Sequence, residues 1–327
     1  MANSFLKKEN ESNFEYQLRL CNLKVNKETN LSWQDIIDLL HLPITVSTLR
    51  HKAYAFKEYE NYLNQKDIVK TKILAISDLH IPFQLPVETF NEYKNNIDIL
   101  VINGDINDFQ AISKFPKVYR LSPMEEMIVA RKYLIELINY IHPQKVIINK
   151  GNHDQRFQNY LAKNLDSDLL ELMPETQLDL ICNEGFNHYN KYEQTKIWYT
   201  PLVECFKDTD VEITYTKDWK CKIGQTWFAH PLSYSNSTLK TVENAMNYFN
   251  KNDTAGFDTV VLGHTHQIGF TKKGNICLYE QGACCDVGKL NYMDGKLTNP
   301  QKQGFLYLCQ DNNGSIIESK TKLICLN

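Results

Sequence analysis

Five short apolar runs in this sequence end in side chains that can bind a metal ion or move a proton. Ile73-Leu74-Ala75-Ile76-Ser77 leads into Asp78-Leu79-His80, and Ile99-Leu100-Val101-Ile102 leads into Gly104-Asp105-Ile106-Asn107-Asp108. Val146-Ile147-Ile148 leads into Gly151-Asn152-His153-Asp154, Thr226-Trp227-Phe228-Ala229 into His230, and Val260-Val261-Leu262 into Gly263-His264-Thr265-His266. Short apolar runs of this kind read as buried strands of a parallel sheet. The carboxyl edge of such a sheet is where open α/β folds bind ligands. Gly151 lets the chain turn sharply there. Asp78, His80, Asp105, Asn152, His230, His264 and His266 are thereby delivered to one edge.

Carboxylate, imidazole and carboxamide oxygen together suit Mn²⁺, Fe²⁺ or Zn²⁺ better than Mg²⁺, because imidazole is a borderline ligand. Seven ligands exceed the needs of one ion and suffice for two if one carboxylate bridges. Two ions roughly 3.5–4 Å apart can clamp the attacking and leaving oxygens of an in-line phosphoryl displacement. A water held between them would ionise near neutral pH and serve as the nucleophile. His153 shares its tight loop with Asn152, so both do not readily ligate the same ion. A histidine facing the site without a metal is suited to protonating the leaving oxygen. Asp108 is placed to accept from its other ring nitrogen and hold its orientation. Arg156, two residues beyond the loop, can reach a substrate phosphate bidentately or pair with Asp154.

The elements that position these residues can be read in outline. Strands at 73–77, 98–103 and 145–149 alternate with helical stretches, which implies a parallel sheet. The clearest helix is 123–141, with Met127, Ala130, Leu134, Leu137, Ile138 and Ile141 at 3–4 spacing and Pro123 near its start. Residues 155–200 are polar, aromatic-rich and irregular. Beyond 205 short strands dominate, at 211–216, 220–224, 226–229, 259–262, 276–280 and 304–309. Asp286, after the Gly282-Ala283-Cys284-Cys285 stretch, reads as a packing residue, with support of the site as the alternative.

The 327 residues leave room for one large α/β domain and a small extra unit, and a net charge of −3 demands no polyanionic partner. The nine cysteines fit no zinc or redox spacing and read as free thiols of a reducing compartment. No apolar run approaches the roughly 20 residues of a membrane span. The expectation is a soluble, cytoplasmic protein with no membrane association.

Taken together, Asp78-x-His80, Gly104-Asp105-x-x-Asp108, Gly151-Asn152-His153-Asp154, His230 and Gly263-His264-x-His266 resemble the signature of the calcineurin-like metallophosphoesterases over residues 73–270. All five blocks occur in order. The resemblance implies a four-layer αββα sandwich. It also implies that Asp78, His80 and His266 hold one divalent ion, that Asn152, His230 and His264 hold the other, and that Asp105 bridges them. His153 carries over as the catalytic histidine and Asp108 as its partner. Mn²⁺ is the ion expected, with Fe²⁺ and Zn²⁺ left open.

Residues 1–70 form a separate helical segment. Phe14, Leu18 and Cys21 fall at helical spacing. Ser32 with Asp35 three residues on marks a helix start, and Trp33, Ile36, Ile37 and Leu40 give that helix an apolar face. Leu42-Pro43-Ile44 breaks it. A second helix from about Val46 carries Leu49, Ala53 and Phe56 inward and Arg50, His51, Lys52 and Lys57 outward. Two short helices with a tight break read as helix-turn-helix, with a small packing cap as the alternative. Ten Lys and Arg against nine Asp and Glu make only a weakly basic surface. Residues 10–16 with Trp33-Gln34-Asp35-Ile36 and Thr48-Leu49-Arg50 resemble phage and prophage phosphoesterases that carry such a segment ahead of the catalytic domain. The expected function is a nuclease or phosphodiesterase acting on DNA, with Arg50 and Lys52 on the nucleic acid. The alternatives are a phosphatase for a phosphoprotein or nucleotide, and a DNA- or partner-binding protein with secondary esterase activity.

Overall fold

Alternate residues of the first strand feed two different cores. In β1 (Thr71–Ile76), Leu74 and Ile76 point to one face of the sheet and Ile73 and Ala75 to the other, all fully buried. A strand with both faces apolar must be covered on both sides, and that requirement builds the layers. The computed structural model describes residues 5–66, 68–114, 121–290 and 300–326. The chain divides into two units, Met1–Ile68 and Val69–Asn327.

In the larger unit, β1, β2 (Ile99–Asn103), β3 (Lys145–Asn149) and β6 (Glu212–Tyr215) run parallel. β12 (Gly304–Gln310) and β13 (Lys322–Cys325) extend this sheet antiparallel, giving the order β13-β12-β1-β2-β3-β6. The second sheet has the order β10-β11-β9-β8-β7, from β7 (Lys220–Ile223), β8 (Thr226–Ala229), β9 (Thr259–Leu262), β10 (Ile268–Lys273) and β11 (Ile276–Gln281). A separate hairpin pairs β4 (Phe186–Asn190) with β5 (Thr195–Tyr199).

Helix α4 (Pro123–Ile141) covers the outer face of the first sheet, packing Ala130, Leu134, Leu137 and Ile141 against Leu74, Ile76, Leu100, Ile102, Val146 and Ile148. Its start is fixed by a capping box: Ser122 Oγ accepts from Glu125 N and Ser122 N donates to Glu125 Oε2. Between the sheets, Ile73, Ala75 and Val101 meet Phe228, Val261, Cys277 and Tyr279. Helix α9 (Lys240–Asn252) covers the outer face of the second sheet, setting Val242, Ala245, Met246 and Phe249 on Ala229, Val260, Leu262 and Leu278. Helix, sheet, sheet, helix is the four-layer αββα sandwich. Between α4 and α9 lie α5 (Gln155–Asn164) and three single turns, α6 (Ser167–Leu170), α7 (Gln177–Asp179) and α8 (Leu202–Cys205). No described helix is long and apolar enough to cross a membrane.

Several elements depart from the sequence reading. The stretch 155–200 is not irregular throughout: it holds α5 and the β4–β5 hairpin. α9 stands where strands were expected to dominate, its buried residues recurring every three or four positions. β10 and β13 gave no signal because they are half-exposed edge strands with lysines, such as Lys272, Lys273 and Lys322, in place of an apolar run.

The N-terminal unit is three helices, α1 (Asn13–Val25), α2 (Trp33–Leu40) and α3 (Val46–Lys66), around a small core in which Leu20, Ile36 and Leu49 are fully buried. Capping boxes at Ser12/Glu15 and Ser32/Asp35 start α1 and α2. α1 buries Tyr16, Leu20 and Cys21; Phe14, read as part of its apolar stripe, is exposed. α2 ends at His41 in the left-handed conformation, ahead of Leu42-Pro43.

One carboxyl sits uneasily in the outer core. Glu280 on β11 is 1% exposed, and among the described residues neither of its oxygens has a well-formed hydrogen bond. Burial pushes it up to about 7 from 4.5, partly offset by the amides of Val242 and Leu239 at the start of α9 and by the Thr265 hydroxyl. The folded protein therefore holds a proton that the unfolded chain releases, so stability falls as pH rises from about 4.5 to about 7 and is flat above. Glu280→Gln removes this loss: its melting temperature relative to the native chain should be higher at pH 8 than at pH 5. An offset independent of pH would contradict the buried acid.

Candidate metal centre

The candidate ligands gather where strands from both sheets end. Asp78 and His80 follow β1, Asp105 and Asp108 follow β2, and Asn152 and His153 follow β3; His230 follows β8, and His264 and His266 follow β9. Five of them, Asp78, His80, Asp105, His264 and His266, lie at positive φ, between 41° and 79°. Such residues rarely adopt this conformation, and it persists where the surroundings enforce it, typically at functional sites.

The enforcing contacts are specific. Asp78 N donates to Gly104 O and His80 N to Asp105 O, which laces the first loop to the second. His264 N donates to both carboxylate oxygens of Asp78, at 3.2 and 3.0 Å, which ties the second sheet to the first. Asp154 holds two backbone amides, those of Gly151 (2.8 Å) and Asp105 (3.0 Å), while Gln177 Nε2 donates to its other oxygen at 2.7 Å. Gly151 is required by space: a Cβ there would lie 2.1 Å from Asp105 N. Gly104 is required twice, at φ +84° and with the His230 ring 2.6 Å from where a Cβ would be.

Two groups of donor atoms result. Asp78, His80 and His266 form one, and Asp105, His230 and His264 the other. In the first, His266 Nε2 is 3.0 Å from both Asp78 Oδ1 and His80 Nε2. In the second, His230 Nε2 is 3.3 Å from Asp105 Oδ2 and 3.2 Å from Asn152 Oδ1. Asp105 Oδ2 also lies 3.8 Å from His80 Nε2, so its carboxylate stands between the groups. Asp105 Oδ1 accepts from His153 N at 2.7 Å.

The electrostatics are those of crowded buried anions. Burial disfavours charge on Asp78, Asp105 and Asp108, yet the surrounding histidines outweigh it and hold all three well below the usual carboxylate range. Burial likewise opposes charge on His80 and His230, but the carboxylates raise them to about 10 and about 9. His264 is pushed down to about 4 by burial and by the neighbouring His230. Its buried Nε2 has no hydrogen-bond partner among the described residues. An unpartnered imidazole lone pair, paired Nε2 atoms at 3.0 Å and carboxylates demanding positive charge are what divalent cations would satisfy. The residues fit a dinuclear divalent-metal site.

His153 and Asp108 form a third group with His80. Asp108 Oδ1 is 3.1 Å from His153 Nδ1 and 3.2 Å from His80 Nδ1, so one carboxylate orients both rings. Burial and the charges of His80 and Arg156 push His153 downward against the pull of Asp105 and Asp108. Arg156 meets this pair directly, with one nitrogen 2.9 Å from His153 Nε2 and another donating to Asp108 O at 2.5 Å. The pairing of Arg156 with Asp154 weighed from the sequence does not occur, since Asp154 is spent on Asp105, Gly151 and Gln177. Asp286 turns to Gly288 N and Lys289, not to the donor groups; it is Ser77, donating to Asp78 Oδ2 and Gly282 O, that braces the site from behind. Arg50 and Lys52 lie on α3 of the other unit, both exposed, with Arg50 over the Tyr54 ring at 5.9 Å.

A model of the calcineurin-like phosphoesterase family matches residues 71–268. The chain belongs to this family. Metal-dependent hydrolysis of phosphate esters is the chemistry that goes with it. No curated protein matches the chain. Solved structures that the chain matches include vacuolar protein sorting 29 from Cryptosporidium parvum (15% identity, 79% of this chain and 97% of that chain covered, TM-score 0.36). They also include a novel archaeal phosphodiesterase (15%, 78% and 99%, 0.35) and vacuolar protein sorting 29 from Chaetomium thermophilum (11%, 78% and 97%, 0.35).

Asp105→Ala should strip metal from both positions. Elemental analysis of the desalted, Mn²⁺-loaded protein should show the variant retaining less than half the native content, and Gly151→Ala should lose metal too by displacing Asp105. Native metal content in Asp105→Ala would contradict the bridging placement.

Proposed function

We propose that the protein is a dinuclear metal-dependent phosphodiesterase acting on nucleic acid. The observation that carries this reading is the pair of donor groups, with the Asp105 carboxylate between them, beside a histidine that belongs to neither. Two divalent ions, Mn²⁺ by preference, would supply Lewis-acid polarisation of the phosphoryl oxygens and a water ionised near neutral pH. Asp78, His80 and His266 would hold one and Asn152, His230 and His264 the other, with Asp105 between.

His153 acts as general acid. Asp108 accepts from Nδ1–H and fixes the ring, so Nε2 is the nitrogen that carries the transferable proton once the ring is charged. In the resting protein that nitrogen accepts from the Arg156 guanidinium and carries no proton, in keeping with the downward push on His153. When an ester enters, the leaving oxygen takes this position and the guanidinium turns its fork to a phosphoryl oxygen.

Two features favour a nucleic-acid diester. Aromatic side chains Trp219, Tyr234 and Tyr248 line a cavity beside the donor groups. In the other unit, α3 exposes Arg50, Lys52 and Tyr54 after the tight break that follows α2. This pair of helices is read as a helix-turn-helix-like module that delivers DNA, of the kind seen ahead of phage and prophage phosphoesterases. The free cysteines fit a reducing, cytoplasmic setting.

With Mn²⁺ added, the protein should cleave bis-nitrophenyl phosphate and end-labelled DNA. Hydrolysis of nitrophenyl phosphate alone, with DNA intact, would replace this reading by a phosphatase. His153→Ala should lower turnover of DNA by about 10²–10⁴-fold and that of nitrophenyl diesters far less, because nitrophenolate leaves without a proton. Equal losses on both would exclude the acid role.

A further inference from the structure

Beside the donor groups α9, the 231–234 loop, Trp219 and Gln155 line a cavity of about 380 Å³. Trp219, Ser233, Tyr234, Asn244, Tyr248 and Gln155 are among its lining residues. It touches the candidate ligands from three sides. His230 donates its backbone N–H to Trp219 O at 2.7 Å, the Tyr234 ring lies edge-on to His264 at 5.5 Å, and Gln155 follows the Asn152-His153-Asp154 loop.

The walls are built, not incidental. Trp219 stacks on Phe249 at 5.9 Å and meets Tyr248 edge-on at 5.5 Å, so its plane is fixed from behind. Asn244 and Tyr248 lie four residues apart on α9, on one helical face. Ser235 N donates to Thr241 Oγ1 at 3.0 Å, which pins the 231–238 loop against α9. Yet Tyr234 and Tyr248 are 62% and 45% exposed, aromatic rings left facing the opening. Among the described residues, none that lines it is charged. The cavity therefore offers no site for a phosphate. It offers apolar ring faces for stacking, with the carboxamides of Gln155 and Asn244 to meet a polar ring edge. Its volume suits one small ligand group and not a longer chain.

Resting on the phosphodiesterase reading, we propose that this cavity binds the base of the nucleoside esterified to the reacting phosphate. A flat heteroaromatic ring with hydrogen-bonding edges matches its walls, and its position lets the attached phosphate reach the donor groups. Stacking on the exposed Tyr234 and Tyr248 rings is tolerant of base identity. Specificity here is for a nucleoside over an aliphatic alcohol, and not for one sequence.

The test uses the full-length, Mn²⁺-loaded protein and two diesters with one leaving group, thymidine 5′-(nitrophenyl phosphate) and methyl nitrophenyl phosphate. The nucleoside ester should be preferred in kcat/KM by at least ten-fold, mainly through KM. Tyr248→Ala and Asn244→Ala should each shrink that preference, Tyr248→Ala by about 5–100-fold. Calorimetric titration with thymidine 5′-monophosphate should show binding that Tyr248→Ala weakens to the same degree. Equal kcat/KM for the two diesters would overturn the base site and leave the hydrolase standing. If neither diester is hydrolysed, the phosphodiesterase reading fails, and absence of nucleotide binding would then overturn the cavity assignment as well. Tighter binding of phosphotyrosine than of thymidine 5′-monophosphate would overturn the choice of a base.

Discussion

The centre depends on one buried carboxylate that cannot be left alone. Asp105 is 1% exposed, and its charge is disfavoured there unless positive charge and donors surround it. They do, in three dimensions: the His153 amide on Oδ1, and His230 and His80 about Oδ2. Its own backbone N–H is held by Asp154, whose carboxyl burial and the nearby Asp105 charge push upward. Asp154 thus works as a backbone clamp, positioning the loop of Asp105 against that of Gly151. Remove the clamp or fill the Gly151 space and Asp105 no longer stands between the two donor groups.

Strain follows from that same crowding. To bring Asp78, His80, Asp105, His264 and His266 within reach of one small volume, the chain turns at each through a left-handed conformation. Each such residue costs about 1–3 kcal/mol, and the stiff, doubly covered parallel strands behind them hold them in it. Loops less firmly anchored would relax, and the donor atoms would separate under the mutual repulsion of their carboxylates.

That these side chains would gather was legible in the sequence because each sits within a few residues of a strand end, and strand ends announce themselves as apolar runs. The helix 123–141 was legible for the same kind of reason, with periodicity and a cap agreeing. What was not legible is what acts through space. Gln177 reaches Asp154 from a turn that shows no periodicity, and Ser77 braces Asp78 through a serine that reads as the tail of a strand. Arg156 lies beside His153 because α5 begins at Gln155, within a stretch whose polar sequence gave no helix signal. Trp219 carries only the pattern of a strand start, and its place beside His230 exists only once β7 and β8 pair.

Neither sheet makes the site by itself. The first supplies Asp78, His80, Asp105, Asn152 and His153, and the second supplies His230, His264 and His266. Each donor group therefore draws from both layers, and their separation is set by how Ile73, Ala75 and Val101 pack on Phe228, Val261 and Tyr279. Close-packed interiors tolerate little change of volume, so this apolar layer works as a spacer for the chemistry at its edge. The polar ties across it, His264 N to Asp78 and Asn103 Nδ2 to Ala229 O, fix the relative register of the two sheets where it matters most. The αββα arrangement is thus more than a way to cover apolar strands: it brings two sheet edges together, and a centre for two ions needs both.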